Sequence, residues 1–73
     1  MHLKEVYRTA VMRDAHAIVL AHNHPSGQCL PSKEDKSCTA KLKSAGMLLG
    51  IELLDHVIVT KEGHYSFTER DDL

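Results

Sequence analysis

The residues best able to do chemistry lie within fourteen positions of one another. They are His22 and His24 in His22-Asn23-His24-Pro25-Ser26-Gly27, and Asp35 in Pro31-Ser32-Lys33-Glu34-Asp35. Two neutral imidazoles and a carboxylate are a ligand set for a divalent metal, zinc above all, and they leave a fourth tetrahedral position open to water. On an extended backbone, residues two apart point to the same side, so both imidazoles can reach one ion. Pro25 pushes His24 toward extended φ/ψ. Taken alone, the His-x-His pair reads equally well as two polar loop histidines. Asp35 shifts the balance, because Cys38, Leu42, Ala45 and Leu49 follow it at helical spacing. It therefore lies along the buried face of its helix, where an uncompensated carboxylate is costly and a metal would neutralise it. Ser32 and Asp35 also have the form of a capping box. That explains an acid in the first turn, but not one aligned with the apolar stripe. Ser32 is thus an N-cap, or a donor beside the metal-bound water, or both.

These residues need a strand and a helix to hold them. Leu3, Val6, Tyr7, Ala10 and Val11 form one apolar stripe and predict an amphipathic helix over roughly 3–13. Ala15 to Ala21 is a short apolar run with β-branched residues at its centre, which predicts a strand buried on both faces, with His22 following at its end. Ligand sites gather at that end of strands in open α/β sheets. Residues 22–31 read as a loop turning at Pro25, Ser26, Gly27 and Pro31. A second helix starts after Ser32 and ends between Ala45 and Leu49, weakened by Ser44, Gly46 and Gly50. Residues 51–60 form a strand, 61–64 a turn and 65–68 a partner strand, so that pair is a hairpin. Residues 69–73 read as a charged, frayed tail. The order is helix-strand-helix-strand-strand, and the strand–helix–strand portion should make a parallel crossover.

Composition narrows the function classes. With 73 residues the chain is one domain or part of one, and a core of that size is marginal without a staple or partner. A net charge of -1 argues against a strong nonspecific grip on nucleic acid or anionic membranes. Two cysteines, Cys29 and Cys38, make no disulfide framework. Nothing resembles a signal peptide or a membrane span, so the expected location is the cytoplasm.

The string His22-x-His24-Pro25, six residues, then Ser32-x-x-Asp35, resembles the JAMM (MPN/JAB) metalloprotease signature. The fuller His22-Asn23-His24-Pro25-Ser26-Gly27 with Pro31-Ser32 and Asp35 is similar to the RadC branch of that family. So are Thr39, Gly46, Gly50-Ile51, the run from Leu54 to Val59, and Tyr65-Ser66-Phe67. The resemblance covers nearly the whole chain. It implies an α/β, cytidine-deaminase-like (JAB/MPN) three-layer fold, of which residues 1–73 would be a single partial domain lacking the N-terminal strands. It implies zinc on His22, His24 and Asp35, with Ser32 stabilising the reacting oxyanion during hydrolysis of amide or isopeptide bonds in a peptide or protein. The family's general-base glutamate belongs to a strand upstream of the histidines. Neither Glu5 nor Glu34 matches it, so the role is carried onto no residue here.

Other polar residues have plainer readings. Asp55 and His56 could orient a ligand or reach the site, since a metal-bound histidine commonly has a carboxylate partner, but the commoner reading is a satisfied structural pair in a half-buried strand. Cys29 reads as a loop residue and Cys38 as a small core residue. His2, His16 and His64 sit near element ends without a clear partner. Two further functions compete with the hydrolase. One is a catalytically incomplete zinc-binding remnant, working alone or as a homodimer paired through an open strand edge. The other is a DNA-repair-associated module, against which the charge counts.

Overall fold

A computed structural model describes residues 3–24 and 27–73. His2 and the expected Pro25–Ser26 turn lie outside the described residues. The elements run α1 (Leu3–Met12), β1 (Ala17–Asn23), α2 (Lys33–Leu49), β2 (Glu52–Thr60) and β3 (Gly63–Ser66), in the expected order.

Helix α1 buries Tyr7 and Ala10, with Leu3 and Val6 packed beside them. Val11, expected on the same stripe, is 57% exposed and belongs to the solvent face. The helix stops where Asp14 turns left-handed at φ 53°, and Ala15 N–H closes the end on the Ala10 carbonyl at 2.9 Å. Helix α2 starts on Ser32 and runs to Leu49, the far limit of its expected end. It is capped by left-handed Gly50 at φ 74°. Gly46 does not end this helix. It lies buried beneath the crossing of the Tyr7 hydroxyl and the Ile51 carbonyl, and a Cβ there would sit 2.2 Å from the Ile51 oxygen. The Tyr7 hydroxyl donates to the Leu42 carbonyl in that gap, joining the two helices. Leu49, expected on the buried stripe, is 52% exposed.

The strands form a mixed sheet in the order β1-β2-β3, with β1 parallel to β2 and β3 antiparallel to it. The hydrophobic cluster of Tyr7, Ala10, Leu42, Ile51 and Leu53, with Ile18 and Leu20 against it, places both helices over one sheet face. The described residues therefore make two layers, and the three-layer arrangement expected from the resemblance is not complete within them. Nor is β1 buried on both faces. Its residues alternate exposed and half-buried, and Val19 is 59% exposed. The apolar run misled because Ala17, Val19 and Ala21 occupy a face that nothing in the described chain covers.

One irregularity decides where the site's neighbours point. Ile18 pairs with Leu53, but Val19 pairs with Asp55, so Leu54 is an extra residue on β2. Beyond such a bulge the inward and outward positions change places. Leu53 faces the core, Leu54 is exposed, and His56 and Ile58 then face inward, both fully buried.

The end of the chain is tied down rather than frayed. Asp72 N–H donates to the Phe67 carbonyl at 2.8 Å, the Tyr65 hydroxyl donates to the Asp72 carboxylate, and Lys43 Nζ donates to the Leu73 carbonyl at 2.8 Å. Strand β3 is shifted to 63–66 from the expected 65–68, because Thr60 pairs directly with Gly63. Asp55 locks the segment after β3. It accepts from the His56 N–H at 2.7 Å, the Thr68 N–H at 3.0 Å and the Ser66 hydroxyl. Partial burial pushes its carboxyl up, but these donors outweigh that and hold it below its ordinary value.

Two stability outcomes follow from these contacts. Gly46→Ala should destabilise the chain by about 1–3 kcal/mol through overpacking against backbone, read as a lower thermal midpoint. An unchanged midpoint would contradict the close approach. For Asp55, a depressed folded-state pKa means the unfolded chain binds the proton more readily. Its contribution is complete above the ordinary carboxyl value of 3.8 and is lost as pH falls through the lower folded-state value. Asp55→Asn should therefore lower stability at neutral pH by about 1–3 kcal/mol and flatten the acid limb of a denaturant-midpoint-versus-pH curve. Parallel acid limbs in the two proteins would refute it.

Candidate metal centre

The site forms where the end of β1 meets the start of α2. His22 is the sixth residue of β1, not the residue after it, and its register partner Ile58 fixes the direction of its side chain. His24 N–H continues the ladder by donating to the Val59 carbonyl at 3.3 Å, which holds the second histidine close to strand geometry. Asp35 is held by the capping box. Its Oδ2 accepts from Ser32 N–H at 2.9 Å, and its own N–H donates to Ser32 Oγ at 3.0 Å.

The ligand atoms of His22, His24 and Asp35 converge within 4.8 Å of one another, all three residues half-buried. His24 Nε2 lies 3.1 Å from Asp35 Oδ2, and His22 Nε2 lies 3.7 Å from Asp35 Oδ1. Two atoms each bonded at ~2.0–2.1 Å to a tetrahedral zinc lie about 3.3 Å apart, so the observed spacings bracket that arrangement. The proton positions make the same point. His24 Nδ1 faces the Gln28 carbonyl at 3.0 Å, and a carbonyl only accepts, so Nδ1 carries hydrogen. A neutral His24 then turns a lone pair from Nε2 toward a carboxylate oxygen. A positive charge, either a second ring proton or a metal ion, is needed to bring them together.

Burial lowers the His22 pKa from its ordinary value of 6.5, and the nearby His24 adds to this against the opposing pull of Asp35. Asp35 is pushed up by partial burial, but the hydrogen bonds with Ser32 and the two histidines outweigh that and hold it low. The site is thus biased toward neutral imidazole at His22 and carboxylate at Asp35, the forms in which these groups bind metal.

The expected residues take their places in different ways. His22, His24 and Asp35 are brought together. Ser32 is the N-cap, with its hydroxyl engaged by the Asp35 N–H. Cys38 lines the cavity of about 680 Å³ beside the triad, with Val6, Leu20 and Ala21 as its apolar wall. Glu34 reaches the same cavity from the exposed side of α2. Cys29 packs against the Ile58, Tyr65 and Phe67 cluster, and both cysteines are free thiols. His64 faces Glu69 at the surface, 3.6 Å away.

His56 follows the less common of its two readings and reaches the site, but without Asp55. Asp55 does not hold its ring, since neighbouring strand residues point to opposite faces and Asp55 reaches only the His56 backbone. The ring turns inward, with Nε2 at 2.8 Å from His22 Nδ1 and Nδ1 at 2.6 Å from Thr39 Oγ1. Phe67 stacks on it with centroids 4.8 Å apart and an interplanar angle of 8°. Thr39, one turn beyond Asp35 on α2, donates to the Asp35 carbonyl at 2.8 Å. The signal that would have exposed this pair is the bulge at Leu54, which a period-2 reading of the strand misses.

Comparison with known proteins agrees with this arrangement. The family model described as the RadC-like JAB domain matches residues 1–72. A UPF0758 protein of Symbiobacterium thermophilum is 53% identical over 70 residues, covering 96% of this chain and 30% of the relative. A UPF0758 protein of Thermotoga maritima is 48% identical over 73 residues, covering 100% of this chain and 33% of the relative. The chain thus spans about a third of the length of the curated relatives it matches. With the family's model matched from residue 1 to 72 and relatives about 50% identical over nearly all of it, the chain belongs to the RadC-like JAB domain family.

Proposed function

We propose that this chain is the metal-holding part of a zinc-dependent hydrolase acting on amide or isopeptide bonds in a peptide or protein. The observation that carries the reading is the convergence of His22 Nε2, His24 Nε2 and the Asp35 carboxylate on one point at the wall of an open cavity. Two nitrogens and one oxygen favour zinc over the harder calcium and magnesium, which prefer all-oxygen shells. The three protein ligands found among the described residues match the pattern of a catalytic centre. When bound, zinc supplies Lewis acidity, polarising a carbonyl and lowering the pKa of water to about 7.

The chain's own residues have separable roles. His22 and His24 bind through Nε2, and Asp35 through the face its capping bonds leave open. Ser32 orients Asp35 through the capping box, and its hydroxyl is the family's candidate for stabilising the reacting oxyanion. The half-buried side chains of Val6 and Leu20 limit water on one side of the site. The proton-removing carboxylate is assigned, by the family resemblance, to a position upstream of these residues. Metal binding and turnover are therefore separate properties of the site. No helix among the described residues is long and apolar enough to cross a membrane, and we place the hydrolase in the cytoplasm.

Metal analysis of the purified chain should find about one zinc per chain. His24→Ala and Asp35→Ala should each weaken zinc binding by more than the roughly 10–100-fold that loss of a supporting residue costs, with the helical signal of circular dichroism retained. A wild-type chain that folds and takes up no zinc would end this reading. Hydrolysis is measured separately on an isopeptide-linked substrate. A rate from this chain alone equal to that of its longer relatives would overturn the upstream placement of the base.

A further inference from the structure

The His22 ring turns Nε2 toward Asp35 and is hydrogen-bonded through Nδ1. It is held through a line of side chains running from β1 through β2 to α2: His22 Nδ1, the His56 ring, the Thr39 hydroxyl and the Asp35 main-chain carbonyl, with successive contacts of 2.8, 2.6 and 2.8 Å. Thr39 is 2% exposed and His56 0%. Each contact needs one proton, and the chain has an unambiguous end. A carbonyl only accepts, so the Thr39 hydroxyl spends its single proton on Asp35. It must then accept from His56, which places hydrogen on His56 Nδ1. A neutral His56 has a bare Nε2, so the next proton is on His22 Nδ1. His22 Nε2 is left with its lone pair facing the metal point.

The reverse orientation fails at its far end. If Thr39 donated to His56, two acceptor oxygens would face each other at 2.8 Å with no proton between them. A doubly protonated His56 would place a cation on a fully buried ring stacked on Phe67.

We propose that Thr39 and His56 are positioning residues that fix His22 in its Nδ1–H tautomer and so present Nε2 as the ligand atom. The inference rests on the metal-site reading for its purpose, though not for its geometry. His24 reaches the same state through the backbone carbonyl of Gln28, which substitution cannot remove. His22 reaches it through side chains, so its readiness to bind metal depends on a residue that touches no ligand ring.

The test uses long-range nitrogen–proton correlation NMR on the metal-free chain, at a pH well above the imidazole range, with zinc titration calorimetry alongside. Wild type should show hydrogen on Nδ1 of both His22 and His56. Hydrogen on Nε2 of either ring overturns the proposal, whatever any variant does. Thr39→Val keeps the shape and removes the hydroxyl. It should release the two rings into mixed tautomers and weaken zinc binding roughly 10–100-fold, as loss of an orienting partner does elsewhere. Thr39→Ser should restore both readouts, which a purely space-filling role for Thr39 does not predict. Unchanged tautomers and affinity in a folded Thr39→Val chain would also overturn it. Should Thr39→Val fail to fold, the wild-type tautomers decide alone. A wild type that binds no zinc yet shows the two Nδ1–H tautomers separates failure of the metal reading from failure of this one.

Discussion

Asp35 is asked to be in several places at once, and the site exists because one backbone position satisfies them all. Its carboxylate closes the first turn of α2 by accepting from Ser32 N–H, and the same group faces the histidines from the end of β1. Its main-chain carbonyl accepts the Thr39 proton. A carboxylate in the first turn is also favoured by the helix dipole. None of these demands competes with another. Oδ2 takes both the Ser32 N–H and His24, Oδ1 faces His22, and the Thr39 proton goes to a different oxygen, that of the main chain. Removing the acid would loosen the helix start and take away one of the three converging ligand groups, while removing none of the reasons the two imidazoles are close.

The sheet supplies the other half of the constraint. Parallel pairing of β1 with β2 sets Leu20 beside His56 and His22 beside Ile58. His22 therefore has a buried ring for a neighbour on the same face. That outcome depends on the extra residue at Leu54. Without the bulge, Asp55 would point at the helices and His56 at solvent. An anion would then be buried beneath α2, and His22 would lose its partner. With the bulge, Asp55 sits at the margin, where it ties β3 and the following turn to β2. A single inserted residue thus separates a structural carboxylate from a site imidazole.

Much of this was legible from residue types alone, and the failures have specific physical causes. The ligand triad, the Ser32 cap and the order of elements are local properties. They depend on spacing along one strand, one helix turn or one hydrophobic period, and such signals survive in sequence. The structural pair is the favoured reading of Asp55 and His56 because adjacency in sequence suggests adjacency in space, and the strand's one phase shift sends the His56 ring to the site without Asp55. Val11 and Leu49 were placed in the core because a stripe predicts which side of a helix is apolar, not how far the partner surface extends. Gly46 read as a helix weakener because its local propensity is poor, while its role is set by Tyr7 and Ile51, thirty-nine and five residues away. The tail read as frayed from its charge, yet Asp72 and Leu73 are held by Tyr65 and Lys43.

The separation between holding a metal and using it has a thermodynamic side. Among the described residues the buried hydrophobic core is two small clusters, and the uncovered sheet face still carries Val19 and Val59. A core this modest leaves little stability in reserve. The three ligand residues come from β1, the residue just after it, and α2, so an ion bound to all of them would add a direct tie between segments that the line through His56 and Thr39 already joins. Ligand linkage at a concentration a hundred times the dissociation constant is worth about 2.7 kcal/mol, comparable with the effect of any single core substitution. The existing bonds from Ser32, Gln28 and His56 already fix the ligand directions, so little of that energy is consumed in ordering side chains. The same groups that make the site receptive to an ion therefore let the ion stabilise the fold, and they do so whether or not a proton-removing carboxylate is close enough for turnover.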